Sequence, residues 1–218
     1  MRRFIFVLAV MSLAACNSNS PSNQPPTTGN ITVTPLSAGL INATSFSFTI
    51  NGVTDPNNDT IMYAWDFADG SAAGAGSTVQ HAYTQTGTFN VKVTASDGHN
   101  TPVNAANLNV NVRTLTATWQ GQLTCNGAGC VGSPRTITLN LTQTGATVSG
   151  TCSDSHVGTQ GPITVQTFAI DAGSGQFNFS GSCGSGNVLF GMKYDPGADQ
   201  WNVSNWDSPP FTGALTRH

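Results

Sequence analysis

The sequence predicts an all-β protein: a β-sandwich followed by a second antiparallel β domain, either a barrel or a small sandwich. Three observations carry that expectation. Apolar residues alternate with polar ones over short runs, which is the period of a half-buried strand. Ile61, Tyr63, Trp65 and Phe67 form one such run, and Phe89, Val91, Val93 and Ala95 another. The runs end on turn chemistry at Asp69-Gly70 and Asp97-Gly98, where Gly accepts φ > 0 and Asp caps its own backbone. The composition leans the same way. There is no Glu and there are only seven Lys and Arg, while Thr, Val and Phe favour strands. A strand with a large inward Trp, beside a partner of the same period, is what the centre of a sandwich requires.

In chain order, residues 1–15 read as a signal peptide. Arg2 and Arg3 give a positive start, and Phe4 to Leu13 an apolar core too short to span a bilayer. Small residues then lead to Cys16, and the LAAC run, Leu13 to Cys16, resembles a bacterial lipoprotein signal. That resemblance implies diacylglycerol on the Cys16 thiol and further acylation of its freed amine. Two or more chains, at about 0.8 kcal/mol per buried CH₂, make a firm membrane anchor. Asn17 follows instead of the Asp associated with inner-membrane retention, so the resemblance favours the outer membrane of the cell envelope, on its periplasmic or surface face. Residues 16–29 follow as a tether. Beyond Cys16 they hold no large apolar side chain, and they are expected to stay flexible with a reach of about 20 Å.

The first domain is expected over residues 30–113. Ile31 and Val33 begin it, Phe46, Phe48 and Ile50 alternate with Ser and Thr, and Leu108, Val110 and Val112 alternate with Asn. The WDFxDG run of Trp65 to Gly70, the HxY of His81 and Tyr83, and the GTFxVxVTxxDG of Gly87 to Gly98 resemble a PKD (polycystic kidney disease) domain. The resemblance implies an immunoglobulin-like sandwich used for protein or carbohydrate contact outside the cytoplasm, and it implies no catalysis. It departs at Ala68, where the family usually has Gly, so the turn there is expected to differ. His81 is expected to fix the approach to the strand that follows. The region contains no Cys, so Trp65 packs without an inter-sheet disulfide.

The second domain is expected over residues 114–218. Leu115, Ala117, Trp119, Gly121 and Leu123 alternate, as do Ile137, Leu139 and Leu141. Phe168 and Ile170 are expected to pair with Phe177 and Phe179 across Asp171 to Gly175. Roughly eight strands joined by tight turns suggest an antiparallel meander. Ile137 to Thr151, set after Trp119, is similar over a couple of hairpins to small barrels of the avidin and lipocalin kind. Four cysteines lie here. Export to an oxidising compartment favours disulfides, with Cys125–Cys130 and Cys152–Cys183 the preferred pairing among three. The rival is a metal site that adds His156 to Cys152.

Asp55, Asn57 and Asp59 offer oxygens to Ca²⁺ but are also ordinary turn formers; no other cofactor is expected. Asp66 and Asp69 are expected to cap backbone amides. Tyr194, Trp201 and Trp206 are core residues by default, or binding aromatics if exposed. No catalytic residue is assigned: the chain lacks GxSxG, HExxH and a phosphate loop with Lys. Beyond the signal, Lys92, Arg113, Arg135, Lys193 and Arg217 stand against ten Asp. That balance argues against nucleic acid and against electrostatic attachment to anionic lipid. The chain is expected to be a non-catalytic envelope lipoprotein that displays itself to, or binds, protein or polysaccharide. Two alternatives stand beside this. A small-ligand barrel requires an apolar cavity of about 300–1,000 Å³. An extracytoplasmic hydrolase requires Asp and His converging in a cleft.

Overall fold

The structure, a computed structural model, describes residues 22–125, 130, 133–156, 160–171, 175–184, 188–207 and 210–218. Cys16 and the signal sequence lie outside the described residues. The chain is all-β, as its periodicities predict. Eight strands build the first domain: β1 (Asn30–Thr34), β2 (Ala38–Leu40), β3 (Phe46–Asn51), β4 (Met62–Asp66), β5 (Gly74–Ala75), β6 (Thr78–His81), β7 (Gly87–Ser96) and β8 (Val103–Arg113). They form two sheets, β1-β3-β6 and β2-β8-β7-β4-β5. The edge strands of the larger sheet, β2 and β5, are only three and two residues long, and short edges are poor templates for another chain.

The alternations seen in the sequence become the core between the sheets. Phe46, Phe48 and Ile50 of β3 face Val91, Val93 and Ala95 of β7, all buried. Trp65 lies among them, 1% exposed, with Phe48 at 6.1 Å between ring centroids. Its indole Nε1 donates to the Gly76 carbonyl at 2.8 Å, so the one polar atom of the side chain is satisfied. Ala68 adopts φ 61° in the turn after β4. This is the left-handed region that a Gly enters freely and an Ala enters at a cost. The departure from the family pattern therefore leaves the turn intact and strains one residue.

The tether expectation is corrected for residues 23–29. Asn23 Nδ2 donates to Asp97 at 3.0 Å, the Gln24 amide to Asn57 Oδ1 at 2.8 Å, and the Thr27 and Gly29 amides to the carbonyls of Thr54 and Ala105. Pro26 is buried. The segment is poor in apolar side chains, yet it is ordered by hydrogen bonds that composition does not reveal.

Eight further strands form the second domain: β9 (Ala117–Thr124), β10 (Arg135–Thr144), β11 (Thr147–Asp154), β12 (Gln160–Ile170), β13 (Phe177–Cys183), β14 (Val188–Asp195), β15 (Gln200–Trp206) and β16 (Thr212–Arg217). The choice left open by the sequence is resolved: they close into a barrel in which β9 pairs with both β10 and β16. Phe168 pairs with Phe179 and Ile170 with Phe177, as the pattern predicts. At the closing seam a Cβ on Gly121 would collide with the Ala214 carbonyl, so the close approach of β9 to β16 requires glycine.

An eight-stranded barrel is just wide enough for side chains to fill it. Here they do. Trp119, Trp201, Trp206, Phe211 and Tyr194 face inward and leave none of their surface open to water. Tyr194 and Trp201 pack at 5.1 Å, and Phe190 stacks on Trp206 at 5.3 Å. Outward positions carry Thr138, Asn140 and Thr142 on β10 and Ser149 and Thr151 on β11. Such a wall of hydroxyls and amides suits water and not hydrocarbon. Among the described residues, no helix is long and apolar enough to cross a membrane.

The two domains meet directly. Leu40 of β2 packs into the core cluster of the barrel. Gln143 of β10 donates to the Ile41 carbonyl at 2.8 Å and accepts from the Leu115 amide at 2.9 Å, clamping the connector on both sides.

Candidate functional site

Two constellations in the first domain gather chemistry-bearing side chains. The first is acidic. Asp55 Oδ1 accepts the backbone N–H groups of Asn57 at 2.8 Å and Asp59 at 3.0 Å, so the DPNND loop folds around its own first carboxylate. Asp55 Oδ2 is buried with no hydrogen-bond partner. Carboxylate oxygens of Asp55, Asp59 and Asp97 all lie within 4.8 Å of one another. Asp97 is held by the Asn100 backbone and side-chain amides, each at 2.8 Å, and by the His99 amide at 2.9 Å. The Asn100 hydrogen bonds chiefly hold its carboxyl down at about 2, so it is ionised across the physiological range. Three carboxylates in this space, one with an orphaned oxygen, suit a hard divalent cation with oxygen ligands.

Of the predicted calcium ligands, Asp55 and Asp59 come together. Asn57, the third residue of the predicted set, has its Oδ1 accepting from the Gln24 amide at 2.8 Å. Asp97, about forty residues further along the chain, brings a third carboxylate to the cluster. Its own signal in the sequence was the Asp97-Gly98 turn, which gave no hint of a partner loop.

The second constellation is aromatic. His81 Nε2 and Asp69 Oδ2 are 2.7 Å apart, with both side chains nearly buried. The His81 ring stacks flat on Phe67 at 4.0 Å and meets the edge of Tyr83 at 4.6 Å. Burial would raise the Asp69 carboxyl, but hydrogen bonds from Ser71 and His81 outweigh it and hold the group below the ordinary carboxylate range. Burial first, then the nearby Asp69 and Asp66, raises the Tyr83 phenol. The imidazole is thereby fixed on both faces between β6 and the turn after β4. Asp66 Oδ1 caps the Ala68 amide at 2.8 Å, as expected.

The Trp-centred sandwich falls within the range of a known module. The family model for the PKD domain covers residues 27–112. Residues 27–112 are a PKD domain. Among solved structures, the PKD domain of an M14-like peptidase from Thermoplasmatales archaeon SCGC AB-540-F20 is similar at 26% identity, covering 43% of this chain and 100% of that one with a TM-score of 0.34. Among curated proteins, no match is found.

Beyond the PKD domain, the barrel places the remaining predicted residues. Cys125 pairs with Cys130 and Cys152 with Cys183. Disulfide-bonded sulfurs are not thiolate ligands, so the metal alternative at Cys152 and His156 is set aside. The Cys152–Cys183 bridge ties β11 to β13 where the β11–β12 ladder is only three pairs long, from Thr151–Pro162 to Ser153–Gln160. Pro162 lacks an N–H to lengthen it. Tyr194, Trp201 and Trp206 are fully buried, which corrects their reading as binding aromatics and leaves their default as core. The same buried aromatics occupy the interior that a small-ligand barrel would leave open.

Two charged groups in the barrel escaped the sequence reading. Arg135 Nη1 donates to Asp207 at 2.8 Å and Asp154 at 3.4 Å, with its guanidinium 4.0 Å above the Phe211 ring. Trp206 Nε1 also donates to Asp154, at 3.0 Å. At the domain junction, Asp199 accepts from Arg113, Arg217 and Tyr194. Burial alone would raise the Asp199 carboxyl; the hydrogen bonds from Arg217 and Tyr194 outweigh it and hold it low. The lone Arg and Asp in each run gave no indication of these pairings.

Proposed function

We propose that this protein is a non-catalytic binding module of the cell envelope, lipid-anchored through Cys16, that contacts polysaccharide or protein with its outer surface. The observation that carries the reading is the packed barrel interior: Trp119, Trp201 and Trp206 have 0% exposure, so a ligand is met outside and not within. The PKD domain supports the same reading as a module associated with extracellular contact, and the two disulfides suit an oxidising compartment. A Cys16→Ser form, released from the membrane, tests both halves. It is expected to lose lipid label and to retain capture of a glycan or envelope protein on an array and in a pull-down. Turnover of a polymer by the purified chain would overturn the non-catalytic reading.

The acidic cluster is proposed as a Ca²⁺ site formed by Asp55, Asp59 and Asp97, which would tie the N-terminal segment, the DPNND loop and the SDG turn together. The carrying observation is the unpartnered, buried Asp55 Oδ2 aimed at the cluster. Ca²⁺ at about a hundred times its Kd is expected to stabilise the PKD domain by about 2.7 kcal/mol. Calorimetry with and without chelator checks this, and Asp55→Asn should abolish the shift.

A further inference from the structure

A cleft of about 400 Å³ opens where the PKD domain meets the barrel, lined by Thr86, Gly87, Thr88, Asn111, Arg113 and Arg217, with Asp199 at its wall. That volume lies within the range of small-molecule sites. Its charge is unlike the rest of the molecule. Beyond the signal sequence the chain has only five basic side chains against ten Asp, yet two of the five converge here on one carboxylate. Asp199 is saturated: Oδ1 accepts from Tyr194 at 2.6 Å and Arg217 Nη2 at 3.1 Å, and Oδ2 from Arg217 Nε at 3.1 Å and Arg113 Nη1 at 3.3 Å. Among the lining residues, two guanidinium groups thus face one carboxylate, a net charge of one.

The two arginines differ. Arg217 is a clip, bound further to the carbonyls of Thr114 at 2.7 Å and Thr116 at 3.3 Å, with its guanidinium 4.4 Å over Trp119. Among the described residues Arg113 is held by two hydrogen bonds, Nε to the Pro196 carbonyl at 2.8 Å and Nη1 to Asp199. Its Nη2 has no partner among the described residues, and its side chain is 35% exposed. Beside it on the PKD sheet, Thr88 Oγ1 donates to Asn111 Oδ1 at 2.7 Å, and the Asn111 amide nitrogen has no partner among the described residues. A pre-positioned guanidinium suits a planar carboxylate, and flanking hydroxyls and amides suit sugar hydroxyls. One net charge is too few for a nucleic-acid backbone.

We propose that this interdomain cleft binds a carboxylate-bearing saccharide, a uronate unit of an acidic polysaccharide, with Arg113 taking the carboxylate and Asn111 and Thr88 the ring hydroxyls. The assignment rests on the binding-module reading and narrows it. The test is calorimetric titration of the full chain with oligogalacturonate and with the same oligomer methyl-esterified at its carboxyls. The acid form should bind, and the ester about tenfold or more weakly, since a charge-assisted hydrogen bond is lost. Arg113→Gln should weaken binding of the acid form by about tenfold. Asn111→Ala, which leaves the domain junction untouched, should weaken it severalfold. Lys92→Gln, the same charge removed from the PKD sheet away from the cleft, should leave it unchanged. Equal binding of acid and ester, an unaffected Asn111→Ala, or binding of inorganic phosphate as tight as the oligomer would overturn the assignment. If no saccharide binds while the Cys16→Ser form still captures a defined envelope protein, the saccharide site fails and the binding module stands.

Discussion

In the PKD domain, Trp65 lies between two open sheets; in the barrel, Trp119, Trp201 and Trp206 lie inside one sheet closed on itself. The open arrangement leaves edges, and the chain answers with edge strands of two and three residues and with residues 23–29 bonded along the domain. The closed arrangement removes edges but must be filled and must meet its own register at the seam. It uses inward aromatics for the first task and a glycine at residue 121 for the second. The staples differ as well. Hydrogen-bonded loops fix the sandwich, while a disulfide and a buried Arg135–Asp154–Asp207 group fix the barrel. The contrast separates two solutions to one problem, since both domains are built mainly from antiparallel strands with alternating apolar faces.

That contrast can be tested from its strongest element downward. Trp65→Ala and Trp201→Ala should each cost about 3–5 kcal/mol, because each leaves a large core cavity. Limited proteolysis with fragment mapping should find cleavage confined at first to the domain that carries the change. Loss of both domains together in each variant would show that the junction makes them one cooperative unit. Next, Cys152→Ser with Cys183→Ser should destabilise the barrel by about 2–4 kcal/mol and leave the PKD transition unmoved. Differential scanning calorimetry distinguishes the two.

Acid should weaken the PKD domain through Asp97. Asp97 is depressed to about 2 from an ordinary 3.8. A depressed carboxyl contributes stability above its unfolded pKa and loses it as pH falls through the folded one. With chelator present, wild type and Asp97→Asn should therefore differ most above pH about 4 and converge towards pH 2, read as the thermal midpoint of the PKD domain. A constant gap across that range would place the effect elsewhere. The smallest expected change is a gain: Ala68→Gly relieves a φ of 61° and should stabilise the PKD turn by about 0.5–1 kcal/mol, measurable by denaturant melts.

Much of the fold was legible because period-2 alternation states which side chain faces inward, and each strand so marked is in place. The Phe168–Phe179 pairing followed from a turn between two alternating runs. Barrel against sandwich was not legible, because closure depends on β9 meeting β16 through contacts nearly a hundred residues apart that no local pattern encodes. The acidic cluster was half legible: Asp55 and Asp59 share a loop, whereas Asp97 arrives by topology. The burial of Trp201 and Trp206 needed the third dimension, since an aromatic at an alternating position reads the same on either wall of a barrel. The order of residues 23–29 was hidden for a different reason. Its anchors are backbone amides and Asn23, and composition weighs side-chain apolarity.

The seam between β9 and β16 also has a bearing on how the molecule is made. Chain emerging from a ribosome or an export channel completes the PKD domain at Arg113, before any barrel strand has appeared. The barrel has no such early finish: β9 waits, unpaired on one side, until β16 has passed through. Over that interval the first domain's strands are all in hand while the barrel is still an open, aromatic-rich ribbon.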